Sequence, residues 1–279
     1  MTLAERSQRW RARYGPWALV TGASDGIGEA FARQIAASGL GLILVARRGD
    51  RLARPAGELA AEHGVEAVPL ALDVARPDAL DVLARATDGL EIGLLVAAAG
   101  FGTSGPFVEG APETELDMID VNCRALAGQA LHFGRLMAVR RRGGMVLMSS
   151  LVAFQGVPRA ANYAATKAYV QTLAEGLAIE LASNGVDVVA CAPGPVHSGF
   201  AQRAAMRMTM AQRPAVVAAG TLTALGRRVT VRPGWLSKAL EGSMTGLPRR
   251  VRVRIMAAVM RGMTSQRHGA TVSEDREPA

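Results

Sequence analysis

The 279-residue sequence predicts an α/β fold: a single doubly wound parallel sheet of seven strands flanked by helices, with a C-terminal helical appendage. Two observations carry that reading. Short apolar runs alternate with helix-period stretches between residues 17 and 231, the pattern left by βαβ units. A glycine cluster follows the first run at once, where a strand must turn sharply into a helix. Strands joined by helical crossovers wind right-handed and bury both sheet faces.

The elements follow in order. Residues 17–21 form the first strand, and the glycines after them open a helix near 27–38. A second strand at 41–46 leads to a helix near 50–63, and a third at 66–72 to a helix near 76–88. The fourth strand, 92–98, precedes a long helix near 112–140; the fifth, 144–149, precedes a helix near 160–184. Residues 186–192 form the sixth strand. After Pro193 the pattern changes, and 195–226 read as a loop and helix inserted before a seventh strand at 228–231. Residues 1–234 therefore make one Rossmann-type domain, whose ligand crevice lies at the carboxyl ends of the strands. Residues 235–263 read as a basic helical extension packed on it, and 264–279 as a polar, disordered tail.

Composition narrows the function. Cys123 and Cys191 make no metal or disulfide pattern, which fits a reducing cytoplasm, and four scattered histidines predict no metal site. The arginine-rich start lacks the apolar core of a secretory signal, and no run reaches the length of a spanning helix. The expectation is a soluble cytoplasmic protein. The net charge of +8 is unevenly placed: residues 1–198 hold 18 Lys+Arg against 20 Asp+Glu, and residues 199–279 hold 14 against 4. Aromatic residues are only 4%, so nucleic acid is not the expected partner. The stretch 247–263, LPRRVRVRIMAAVMRGM, admits two readings. It either lies on anionic lipid, a membrane-peripheral placement, or docks its methionines and valines on the sheet with arginines facing water.

Three motifs carry chemistry. In Gly22-Ala23-Ser24-Asp25-Gly26-Ile27-Gly28, Ser24 fits both a nucleophile elbow and a phosphate cradle. As a cradle, Gly22 permits the turn, Gly26 lets backbone approach a phosphate, and Gly28 permits close helix–strand contact, with a helix N-terminus offering free N–H groups. The second strand ends LILVARR: Ala46 stands where a carboxylate would accept the ribose 2′-hydroxyl of NAD, and Arg47 follows. A guanidinium pairs bidentately with a 2′-phosphate, so the site suits NADP over NAD. Tyr163 and Lys167 are one helical turn apart in a chain with three tyrosines and two lysines, a coincidence of roughly 2% by chance. The ammonium is expected to lower the phenol pKa toward neutrality. Ser149-Ser150, at a strand end, offers a hydroxyl to the same crevice.

Together TGASDGIG, Asp73, Asn122, Ser150, YAATK and PGPVHS resemble the short-chain dehydrogenase/reductase family, over roughly residues 17–200. The stretch WALVTGASDGIG…LILVARRGDRL is particularly similar to NADPH-dependent hydroxysteroid and 3-oxoacyl reductases. The resemblance implies that Tyr163 donates a proton to a carbonyl oxygen, Lys167 depresses its pKa and binds the nicotinamide ribose, and Ser150 polarises the carbonyl. Asn122 holds a water linking Lys167 to solvent. Asp73 with Val74 contacts the adenine, backbone at Ala98, Ala99 and Gly100 lines the cofactor, and Pro193, Gly194, Val196 and Ser198 seat the nicotinamide. Ser24 is then cradle rather than nucleophile. Two departures stand out: Ala97-Ala98-Ala99-Gly100 replaces the usual Asn-Asn-Ala-Gly, and Asp25 stands where many NADP-using members are basic.

The implied activity interconverts a carbonyl and an alcohol with NADP(H). Phe101, Phe107, Val152, Phe154, Phe200, Met206, Met208 and Met210 suggest an apolar, lipid-like substrate. The alternatives are a non-catalytic NADP-binding sensor or a membrane-peripheral protein on the same fold. Members often pair through the long helices, so a homo-oligomer is permitted.

Overall fold

The strands observed are β1 (Trp17–Thr21), β2 (Gly41–Ala46), β3 (Ala67–Ala71), β4 (Ile92–Ala97), β5 (Gly143–Met148), β6 (Val186–Cys191) and β7 (Thr230–Val231). They form one parallel sheet in the order β3-β2-β1-β4-β5-β6-β7. The computed structural model describes residues 3–204, 206, 211–234 and 246–264. Met208, Met210, the start of the extension at 235–245 and the tail from 265 onward lie outside the described residues. Among the described residues no helix is long and apolar enough to cross a membrane.

Alternation along the strands builds two layers. Ala18, Val20, Leu42, Leu44, Val96 and Val146 face a core shared with helices α2 (Gly26–Ala37), α3 (Asp50–His63) and α9 (Pro214–Ala224). Leu19, Ile43, Val45, Leu95 and Leu147 face the opposite layer, shared with α4 (Ala79–Ala86), α6 (Leu126–Arg140) and α7 (Ala161–Glu180). The chain winds outward from β1 to β3, then returns to place β4 on the other side of β1. That reversal opens a crevice at the carboxyl ends of β1 and β4.

Four departures from the sequence reading have physical causes. The start of the chain is a helix, α1 (Leu3–Tyr14), anchored at its end rather than by periodicity. Tyr14 is buried in the core, its hydroxyl donates to Asp187 Oδ2 at 2.7 Å, and Arg13 grips both oxygens of the same carboxylate. Second, the long helix is broken: α5 (Pro112–Ile119) runs into a π-helical stretch, Asp120–Ala125, before α6 resumes. Third, β7 keeps two residues of the expected four, since it pairs only with β6 at the sheet's edge. Fourth, β3, β4, β5 and β6 each stop one residue early, so Leu72, Ala98, Ser149 and Ala192 belong to the loops at the carboxyl ends of the strands.

Candidate active site

The glycine turn forms as the sequence requires. Gly22 and Gly26 have φ of 70° and 59°, where glycine is favoured. A Cβ on Gly22 would sit 2.9 Å from the Ala98 carbonyl carbon, and one on Gly28 would overlap the Gly22 carbonyl. The turn therefore packs against the β4 loop and its own helix too closely for a side chain at Gly22 or Gly28. It borders a cleft of about 820 Å³, large enough for a nucleotide cofactor. Gly22, Ser24, Asp25, Ile27 and Gly28 line one end, and Arg47, Asp73 and Val74 line the other. Ala98, Ala99 and Gly100 form the floor. Among the described residues no hydrogen bond joins Ser24 to His132 or His197; His132 packs edge-on against Phe133.

The bracing that the Ala97-Ala98-Ala99-Gly100 loop lacks comes from elsewhere. Thr21 Oγ1 accepts from the Ala99 N–H at 3.2 Å. The fully buried Asn122 clamps Phe101: its Oδ1 accepts from Phe101 N at 3.1 Å and its Nδ2 donates to Phe101 O at 2.9 Å. Nδ2 also donates to Thr166 Oγ1 at 3.0 Å. The π-helical stretch carries Asn122 onto the loop, a local geometry frequent at functional sites.

Asp25 has a role that its position in the sequence conceals. Its Oδ2 accepts from the Gly199 N–H at 2.9 Å, which ties the glycine turn to the short helix α8 (Gly199–Arg203). Ser198 caps that helix and lines the cleft with Gly199 and Phe200. Pro193 and Val196 are buried just behind, where Leu151 N donates to Pro193 O and Val196 bridges Gln212. Gly26, Pro193, Gly194 and Val196 support the cleft without lining it. Arg48, which follows Arg47 at the end of LILVARR, lines it as well; so do Arg51 and Arg203, which nothing in their local sequence set apart from the chain's other arginines.

Tyr163, Lys167 and Ser150 converge beyond Gly100 and Phe200 rather than in the cleft itself. Tyr163 and Lys167 share one face of α7, the ammonium 5.8 Å from the phenol ring centre. A Cβ on Gly100 would lie 3.4 Å from Lys167 Nζ, and one on Gly102 would lie 3.0 Å from the Tyr163 ring. Glycine in this loop thus lets the cleft floor approach both groups. Lys167 Nζ donates to Met148 O at 2.8 Å, while Ser149 Oγ donates to Lys167 O at 3.1 Å. Burial pushes the Tyr163 phenol up to about 12, opposed in part by the nearby Ser150 hydroxyl. Burial also brings the Lys167 ammonium down to about 8. The expected lowering of the phenol by the ammonium is therefore reversed here: desolvation dominates, and Lys167 spends its short contact on a carbonyl.

The apolar wall around Tyr163 has two sources. Phe200 of α8 packs against the phenol with ring centres 5.3 Å apart. The C-terminal helix α10 (Arg249–Thr264) brings Met256, Met260 and Met263 into one cluster with Val152, Val157, Tyr163 and Met206. Arg159 Nε donates to Thr264 Oγ1 at 2.6 Å and pins the helix end. Of the expected wall residues, Phe107 is largely exposed and Phe154 lies beneath the Arg232 guanidinium at 4.1 Å.

This architecture has known counterparts. A family model described as short chain dehydrogenase matches residues 16–208. The 7beta-hydroxysteroid dehydrogenase of Collinsella aerofaciens is 33% identical over 178 residues, covering 64% of this chain and 68% of that protein. A very-long-chain 3-oxoacyl-CoA reductase of Pyricularia oryzae is 35% identical over 179 residues, covering 62% of this chain and 54% of that one. Among solved structures, a 7beta-hydroxysteroid dehydrogenase superposes with a TM-score of 0.81 at 29% identity, over 88% of this chain and 98% of that chain. A short-chain dehydrogenase from Sphingobium yanoikuyae in complex with NADPH gives 0.74 at 29% identity, over 84% and 97%. A parallel sheet with its glycine turn over the switch point, and a family match across more than half the sequence, lead to one conclusion: the chain belongs to the short-chain dehydrogenase family.

Proposed function

We propose that this protein is an NADP(H)-dependent oxidoreductase that interconverts an apolar, lipid-like ketone or aldehyde and its alcohol. The observation that carries the reading is the Tyr163–Lys167–Ser150 group converging where the cleft floor thins to glycine. The residues fit a dinucleotide. The glycine cradle and the start of α2 suit the pyrophosphate, Asp73 and Val74 the adenine, and Arg47 a 2′-phosphate. When bound, the cofactor supplies the hydride.

The chain's own groups supply position and proton. A phenol held up to about 12 keeps its proton throughout the neutral range, the state a donor to a carbonyl oxygen needs. Ser150, whose hydroxyl lies near that phenol and moderates its rise, is placed to orient the same carbonyl. Lys167 stands behind as the local positive charge. Asn122 has its side chain committed to Phe101 and Thr166, so a proton relay through this residue falls to its main chain. Phe200 and the methionines of α10 exclude water from the phenol and suit a bulky, irregular apolar partner. Relatives named for hydroxysteroids and for very-long-chain 3-oxoacyl groups support the same substrate class. Exposed Leu116, Ile119, Leu131 and Val139 on α5 and α6, with Tyr169 and Ile179 on α7, support pairing of two copies through these helices.

The test is Tyr163→Phe. Turnover of carbonyl compounds, followed by NADPH absorbance, should fall by about 10²–10⁴-fold. NADPH affinity, followed by fluorescence titration, should stay within about twofold. Normal turnover in this variant refutes the role, and NADPH binding with no oxidation across a broad carbonyl panel points to a sensor.

A further inference from the structure

The cleft carries more positive charge than the protein itself balances. Arg47, Arg48 and Arg51 line it from the wall between β2 and α3, and Arg203 lines it from the last residue of α8. Among the described residues only Arg47 has a carboxylate partner, Asp73, and the pair is loose at 3.9 Å. Asp73 is partly engaged elsewhere, since its Oδ1 accepts from Ala75 N at 3.0 Å. Arg203 rests on an aromatic face instead, its guanidinium carbon 3.9 Å from the centre of the buried Phe101 ring. Arg47 and Arg48 repel it, Asp117 and Asp73 attract it, and burial combines with the repulsion to hold its pKa below the usual arginine range.

A surface arginine normally faces water or a carboxylate. Arg203 faces water in part but has no carboxylate within ion-pair distance among the described residues: it stacks on Phe101 beside a group of like charges, an arrangement that an anion entering the cleft would relieve. The anchorage of α8 points the same way. Its first residue is tied to the glycine turn through Asp25, so the helix spans from the pyrophosphate cradle toward the arginine end. A phosphate dianion offers three oxygens and accepts from two guanidiniums at once, which a carboxylate does less well.

We propose that Arg203 is a second reader of the adenosine 2′-phosphate, delivered by the short helix α8. The phosphate is held between Arg47 on the sheet side and Arg203 on the α8 side. The inference rests on the NADP(H) reading above and deepens it. The extra phosphate of NADP(H) then becomes a clasp for the segment that carries Phe200 against Tyr163. Cofactor identity would be read by the element that also walls the substrate.

Binding measured without turnover tests this. NADPH, NADH, adenosine 2′,5′-bisphosphate and adenosine 5′-monophosphate are titrated into the full chain and into Arg203→Met, Arg203→Lys and Arg47→Met. Arg203→Met should weaken NADPH and the bisphosphate about tenfold or more, with NADH and the monophosphate within about twofold. Arg203→Lys should recover part of the loss, because it keeps the charge but not the fork. The bisphosphate should also slow chymotryptic cleavage after Phe200 in the parent protein and not in Arg203→Met. Unchanged NADPH affinity in Arg203→Met, or equal loss of NADPH and NADH, overturns the proposal while leaving the NADP(H) reading intact. A parent chain that binds neither dinucleotide overturns both.

Discussion

Tyr163 and Lys167 show how burial competes with charge. A phenol and an ammonium one turn apart suggest a mutual lowering of the phenol, yet both groups are shifted toward their neutral forms, the phenol up and the ammonium down. The i, i+4 spacing was legible because a helix fixes it. The direction of the shift was not, because desolvation depends on Phe200 and Met260, which lie far away in the chain. Lys167 has a further consequence. Its folded pKa of about 8 is below its ordinary value, so between the two the unfolded chain holds a proton that the folded chain has released. Burying this lysine therefore opposes folding fully below about pH 8, and the opposition fades as pH rises toward the unfolded value. Lys167→Met should gain stability over the parent at about pH 7, and that gain should shrink by about pH 10 in urea melts. A gap independent of pH would show that the ammonium is not desolvated as described.

The break in the long helix has a consequence at the scale of the element. The sequence reads as one helix through 112–140, and nothing in its composition marks the π-helical stretch at Asp120–Ala125. Only the target of Asn122, the Phe101 backbone 21 residues earlier, explains the break. Asn122→Ala should leave the buried N–H and C=O of Phe101 unpaired and cost about 2–4 kcal/mol, read as a lower urea midpoint. It should also weaken dinucleotide binding, because Phe101 continues the cleft floor. An unchanged midpoint would mean that the clamp contributes nothing. The strands were legible to within about a residue or two, since both faces of the sheet are covered and each run is apolar. The Asp25–Gly199 tie was not, because its partners are 174 positions apart and the sequence marks neither for the other.

Across the whole molecule, the two ends of the chain serve opposite edges of the sheet. Helix α1 closes the amino edge, where Tyr14 packs beneath Gly144 and Asp187 receives both Tyr14 and Arg13. Its sequence hid it: Leu3, Trp10 and Tyr14 are its large apolar residues among four arginines. Asp187→Asn should cost about 1–3 kcal/mol in urea melts, discounted because Arg13 is half exposed. NADPH affinity should not change, since the cleft lies at the other edge. Loss of NADPH affinity in that variant would show that the two edges are coupled.

Helix α10 closes the carboxyl edge and pairs with no strand. Tyr163, the proposed proton donor, stands on a helix of the central fold, while part of the apolar wall around it comes from α10, held by pliant thioethers. On the proposed reading, appetite for one hydrophobic molecule over another can therefore drift by exchanging that helix alone, with Tyr163, Lys167 and Ser150 inherited intact.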